Sequence, residues 1–109
     1  GGTPLRHLGQ MSVSRTALAP TLPTFKEQGF DIELASLRGI AAPKGLPVPI
    51  RELLVRAVER AANDPQFQAQ AATYFAPLRY LSPAKYEAEL RGAEAQFKQL
   101  WKEIPWGEK

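Results

Sequence analysis

Three prolines within one short passage, Pro43, Pro47 and Pro49, constrain this chain more than any other feature. They punctuate "RGIAAPKGLPVPI", residues 38–50. Proline fixes φ, offers no amide proton to a sheet and biases the residue before it toward an extended conformation. An extended run reaching Ala42 must therefore stop at Pro43. A helix can begin only where proline is tolerated, which puts Pro49 in a first turn. The passage separates a part with strand-like patterning from a part with helical patterning.

Upstream, "LRHLGQMSV" (5–13) reads as a strand whose alternation is weakened by Gly9 and Gln10. "SRTALAPTLP" (14–23) reads as a loop. In "TFKEQG" (24–29), Thr24 and Glu27 have capping-box spacing and Gly29 can end a turn, which predicts a short helix. "FDIELASLRGIAA" (30–42) predicts a strand, with Ile32, Leu34 and Ser36 alternating against Glu33, Ala35 and Leu37.

Downstream, Ile50, Leu53, Leu54, Ala57, Val58 and Ala61 recur at helical spacing. "NDP" (63–65) ends that helix and starts another, with Asp64 as cap and Pro65 at the first position. Phe67, Ala71 and Tyr74 give the second helix an apolar face. "APLRYL" (76–81) is a short strand or an extended link. Ser82 and Pro83 open a long third helix. Its stripe, Tyr86, Leu90, Ala93, Phe97, Leu100, Trp101 and Ile104, is expected to be buried. Glu94 and Lys98 stand in the favourable i,i+4 order, and Pro105 and Gly107 close the helix.

The chemistry-bearing residues are sparse. With no cysteine, disulfides, thiolate zinc sites and thiol catalysis are excluded. His7 is the sole histidine and has no obvious triad partner. No nucleophile elbow, P-loop or GxGxxG is present. Gly39 and Gly45 fit turns better than phosphate cradles. Glu87, Glu89 and Glu94 map to a solvent-facing helix surface. A net charge of +3 is spread among acidic residues, as where Arg51, Arg56 and Arg60 mix with Glu52 and Glu59. No nucleic-acid partner is therefore expected. At 44% hydrophobic and 23% charged the composition is globular. No run approaches the roughly 20 apolar residues of a membrane span. The start, "GGTPLRHLGQ", has neither the charged nor the apolar region of a signal peptide.

Order and spacing carry a resemblance. Leu5, Arg6, Leu8, Ser12 and Arg15 are followed by Leu22, Pro23, Thr24, Glu27 and Gly29. Then come "LRGIAAPKGLP" (37–47) and a helix ending in Asp64-Pro65. From about Leu5 to Ile104 this resembles the C-terminal third of the tripartite tricarboxylate transporter receptors, or Bug proteins, extracytoplasmic solute-binding proteins of bacteria. Gln10-Met11, Leu37 and Leu46 depart from that pattern, which has Val-Thr, an aromatic and threonine there. The resemblance implies an α/β fold. The chain would be a fragment of a two-lobed, type II periplasmic-binding-protein architecture, helix-rich in its C-terminal half. Residues 1–36 would end the second lobe, 37–47 would cross between lobes, and 48–109 would return to the first. From the residues alone, the proline passage is a strand-to-helix loop; the resemblance makes it a crossing.

The same resemblance implies capture of a small carboxylate, a di- or tricarboxylate or an acidic amino acid, for membrane permease subunits. It implies a periplasmic location, no cofactor, no metal and no covalent catalysis. Ser12 and Ser14 would serve as hydroxyl donors and Arg15 as an electrostatic partner, with Ser36 and Arg38 at the crossing. Alone, the chain is expected to bind carboxylates weakly or not at all. Edges and apolar faces uncovered in a fragment would favour a homodimer. Two readings compete: a self-contained helical protein-interaction module, and an enzyme fragment whose catalytic residues lie upstream.

Overall fold

The structure is a computed structural model and describes residues 4–107. The chain divides into two compact units between Arg38 and Gly39.

The first unit holds no helix and no paired strand among its described residues. Residues 5–13 do not form the expected strand. They run extended and meet the rest of the unit through one parallel bridge, Gln10 to Thr24. The Gln10 amide donates to the Pro23 carbonyl at 3.0 Å, and the Phe25 amide donates to the Gln10 carbonyl at 2.9 Å. Residues 30–42 form no strand either. One backbone bond, Leu34 amide to Met11 carbonyl at 2.9 Å, ties them to the segment opposite. The alternation is in the sequence, but a strand exists only when a neighbour takes its amides and carbonyls.

The expected helix over 24–29 is a capped turn. Both bonds of the capping box form. The Glu27 amide donates to Thr24 Oγ1 at 3.1 Å, and the Thr24 amide donates to Glu27 Oε2 at 2.7 Å. The Phe30 amide reaches back to the Phe25 carbonyl and the Gly29 amide to that of Lys26, with Gly29 at φ 90°. This is a Schellman closure, so start and stop signals follow one another with no helix body between them. Thr24, at the centre, is the unit's buried side chain.

The second unit carries α1 (Val48–Ala62), α2 (Pro65–Thr73) and α3 (Pro83–Glu103). Each has proline in its first turn, where the missing amide proton costs nothing. Asp64 caps α2, accepting from the Phe67 amide at 2.9 Å. Ser82 occupies the corresponding place before α3 but makes no side-chain cap; its carbonyl accepts from the Tyr86 amide at 2.8 Å. Residues 76–82 are an extended link. Beyond α2 the Ala76 amide donates to the Ala71 carbonyl at 2.8 Å, a second Schellman closure. Here the left-handed residue is Phe75, at φ 53°. Gly39 lies under the Tyr86 ring, and a Cβ there would come within 2.5 Å of it.

The α3 stripe is not buried. Leu90, Phe97, Leu100 and Ile104 are exposed, and Trp101 is half-buried edge-on against Trp106 at 4.8 Å. On α2, Ala71 is buried but Phe67 and Tyr74 are exposed. The helical period is thus realised in the backbone while its apolar faces lack cover. No helix among the described residues is long and apolar enough to cross a membrane.

Candidate functional site

All five expected site residues fall in the first unit. Ser12 and Ser14 lie on the bend that follows the extended segment, and Arg15 comes directly after it. Ser12 Oγ donates to the Ser14 carbonyl at 2.7 Å, which bends the chain there. Ser36 is two residues beyond Leu34 and Ser12 is one beyond Met11, the two residues joined by the backbone bond between segments. Arg38 is the unit's last residue.

A side chain read only as a blemish in a strand organises this site. Gln10 Nε2 donates to the Ala19 and Leu22 carbonyls, each at 2.7 Å, and Gln10 Oε1 accepts from the Thr16 amide at 3.0 Å. One amide side chain thereby satisfies three backbone groups of the loop 14–23. Sequence offers little sign of this, because its partners are main-chain atoms that every residue possesses.

The second unanticipated participant is Glu27. Arg15 Nε donates to both Glu27 oxygens, at 3.1 and 3.0 Å, and a terminal nitrogen donates to the Pro20 carbonyl at 3.3 Å. The same carboxylate closes the capping box. The Arg15 hydrogen bond, then the Thr24 amide, hold the Glu27 carboxyl below its ordinary value of 4.5. A folded-state value below the unfolded one stabilises the fold at pH above the ordinary glutamate range. That contribution fades as pH falls through it and is gone once the folded carboxyl protonates. Acidification through and below the ordinary glutamate range is expected to release the Thr24 and Glu27 amides to hydrogen exchange, and Glu27→Gln should remove the pH dependence. Protection of those amides that is flat from neutral to strongly acidic pH would contradict it.

These bonds sort the candidates chemically. Arg15 is committed to an acid on its own unit, and an incoming carboxylate would have to displace Glu27. Ser14 Oγ, Ser36 Oγ and the Arg38 guanidinium are exposed and carry no hydrogen bond or ion pair among the described residues. Two hydroxyls and one cation are therefore available to an anion. No group of three or more His, Cys, Asp or Glu side chains converges among the described residues.

No family model matches the chain and no solved structure matches it. Two curated proteins are similar. A UPF0065 protein in the gbd 5' region of Cupriavidus necator is 32% identical over 82 residues, 75% of this chain and 25% of that protein. A UPF0065 protein in the TAR-I ttuE-ttuC' intergenic region of Agrobacterium vitis is 42% identical over 53 residues, 48% of this chain and 15% of that protein. The chain thus spans a quarter or less of the curated relatives it matches. UPF0065 is a name of the Bug family, so the likeness to curated proteins and the motif resemblance meet at family level.

Proposed function

We propose that this chain is part of a Bug-family extracytoplasmic receptor that captures a small carboxylate for a tripartite tricarboxylate-type transporter. The observation that carries the reading is the similarity to UPF0065 proteins over three quarters of the chain. In this reading the first unit supplies one wall of a two-lobed binding cleft in the periplasm. Ser12 shapes the turn. Ser14 and Ser36 donate hydroxyl hydrogens to a carboxylate, and Arg38 supplies the positive charge, since Arg15 is held by Glu27. Residues 37–47 serve as the crossing between lobes. Their prolines limit the positions able to absorb rotation as the lobes close. Binding and closure need no bond-making, so no catalytic group is asked of these residues.

Titration calorimetry tests this with citrate, aspartate and glutamate. The whole gene product carrying this chain is expected to bind at least one of them. Arg38→Ala should weaken that binding about tenfold to a hundredfold, the loss of one charge-assisted contact. The 109-residue chain alone should bind weakly or not at all. Failure of the whole gene product to bind any small carboxylate would refute the receptor reading. Micromolar binding by the short chain would refute the one-wall assignment.

A further inference from the structure

The chain joining the two units is tethered unevenly. On the side of the first unit, the last backbone tether is the bond from the Leu34 amide to the Met11 carbonyl, at 2.9 Å. On the side of the second unit, the first tether is Gly39, whose backbone passes under the Tyr86 ring of α3. A Cβ built on Gly39 would lie 2.5 Å from Tyr86 Cζ and from its hydroxyl oxygen, and 2.8 Å from Cε1. No left-handed φ asks for glycine at this position. The ring asks for it, because only a residue without Cβ allows so close an approach. Gly45 is the reverse case, with φ at 81° and open space around it.

The far end of the proline passage is fixed as well. The Ile50 and Arg51 amides both donate to the Pro47 carbonyl at 3.0 Å, which joins Pro47 to the first turn of α1. Residues 39–47 therefore have one end on α3 and the other on α1, two helices of one unit. Between those ends Pro43 locks its φ and Gly45 makes the turn. Ala35, Ser36, Leu37 and Arg38 stand between the Leu34 and Gly39 tethers. Among the described residues their amides and carbonyls make no hydrogen bond, and none of the four is proline or glycine. The division between units falls at the end of this run.

We infer that the Tyr86 ring clamps the chain at Gly39 and so confines rotation between the two units to residues 35–38. The proline passage is then carried as a rigid part of the helical unit. Prolines alone would not achieve this: they stiffen 43–49 and leave 39–42 free to turn. The ring removes that freedom. A hinge is a few residues that absorb a change in φ and ψ, and these four lie outside the tethers of both units. Ser36 and Arg38, whose polar groups are exposed and available to an anion, stand in the pivot itself. A further consequence rests on the receptor reading: a carboxylate held by Ser36 and Arg38 fixes the pivot, so capture and closure act on the same four residues.

Residual dipolar couplings of the 109-residue chain in a weakly aligning medium test the clamp without any ligand. They are read on Cα–H bonds as well as amides, because Pro43 and Pro47 have no amide proton. Residues 39–47 are expected to fit the alignment of α3, residues 5–34 to need one of their own, and the change to fall within 35–38. A change falling within 40–47 would overturn the proposal, as would a single alignment that fits both units. Tyr86→Ala should release residues 39–42 from the α3 alignment, and Gly39→Ala should do the same by pushing the ring away. Tyr86→Phe should keep them in place, since the ring makes the clamp. Residues 39–42 that still follow α3 in Tyr86→Ala would show that the ring holds nothing. In the whole gene product, Tyr86→Ala is expected to weaken carboxylate binding severalfold and Tyr86→Phe to leave it as in the parent. Unchanged binding in Tyr86→Ala would overturn the coupling of pivot to site. A gene product that binds no carboxylate would refute the receptor reading and that coupling together, while the alignment of residues 39–47 decides the clamp by itself.

Discussion

Gln10→Ala is expected to loosen the whole loop 14–23 and to cost the first unit about 2–3 kcal/mol, the sum of three side-chain hydrogen bonds at their usual net worth. The substitution removes two donors from carbonyls at residues 19 and 22 and the acceptor of the Thr16 amide. It leaves the backbone bonds of residue 10 to Pro23 and Phe25 in place. Glutamate at this position should be no remedy. It can accept from Thr16, but it would aim a carboxylate oxygen at two carbonyls that require a donor. Amide hydrogen exchange reads the result directly. Protection at Thr16 should fall by about thirtyfold or more, while helix amides of α1 and α3, in the other unit, keep theirs. Unchanged protection at Thr16 would mean that the loop is held by its backbone alone.

Phe75→Gly is expected to act in the opposite direction. Phe75 closes α2 in a left-handed conformation at φ 53°, which costs an L-residue about 1–2 kcal/mol. Its ring is 78% exposed, so truncation gives up little packing. Glycine adopts the conformation freely but widens the unfolded ensemble, which takes back about 0.4–1 kcal/mol. The net gain is about 1 kcal/mol. The Ala76 amide, whose bond to Ala71 closes the motif, should become roughly fivefold better protected. Phe75→Ala should not reproduce the gain, because the strain belongs to the backbone and not to the ring. A Phe75→Gly variant with reduced protection would show that the ring is engaged in packing.

These two positions illustrate what could be read beforehand. The helices were legible because their signals are local. Pro49, Asp64, Pro65 and Pro83 mark starts within one turn of where α1, α2 and α3 begin, and the i,i+4 pair of Glu94 and Lys98 forms at 2.7 Å. The capping box at Thr24 and Glu27 was legible for the same reason. The strands were not. Alternation in 30–42 describes which face a strand would turn to a core; it does not supply the neighbour. The role of Gln10 is not legible because the partners of its amide nitrogen lie nine and twelve residues away and are carbonyls that no residue type announces. Arg15 has the chemistry of an anion partner, but Glu27, likewise twelve residues distant, takes it in space. The α3 stripe had the right period, but periodicity states which residues want cover and not what provides it. The chemistry of Ser14, Ser36 and Arg38 was visible as residue types; their freedom to act was visible only in space.

The uncovered helix faces also decide how the protein's stability responds to temperature and denaturant. Heat-capacity change on unfolding scales with the apolar surface newly exposed to water, and the denaturant slope scales with total surface exposed. A chain whose large side chains already stand in solvent has little of either to give. Its own unfolding should be broad, with a flat stability curve and a shallow denaturant slope. Whatever covers α1 and α3 should therefore bring a negative heat-capacity change with it, readable by calorimetry at several temperatures.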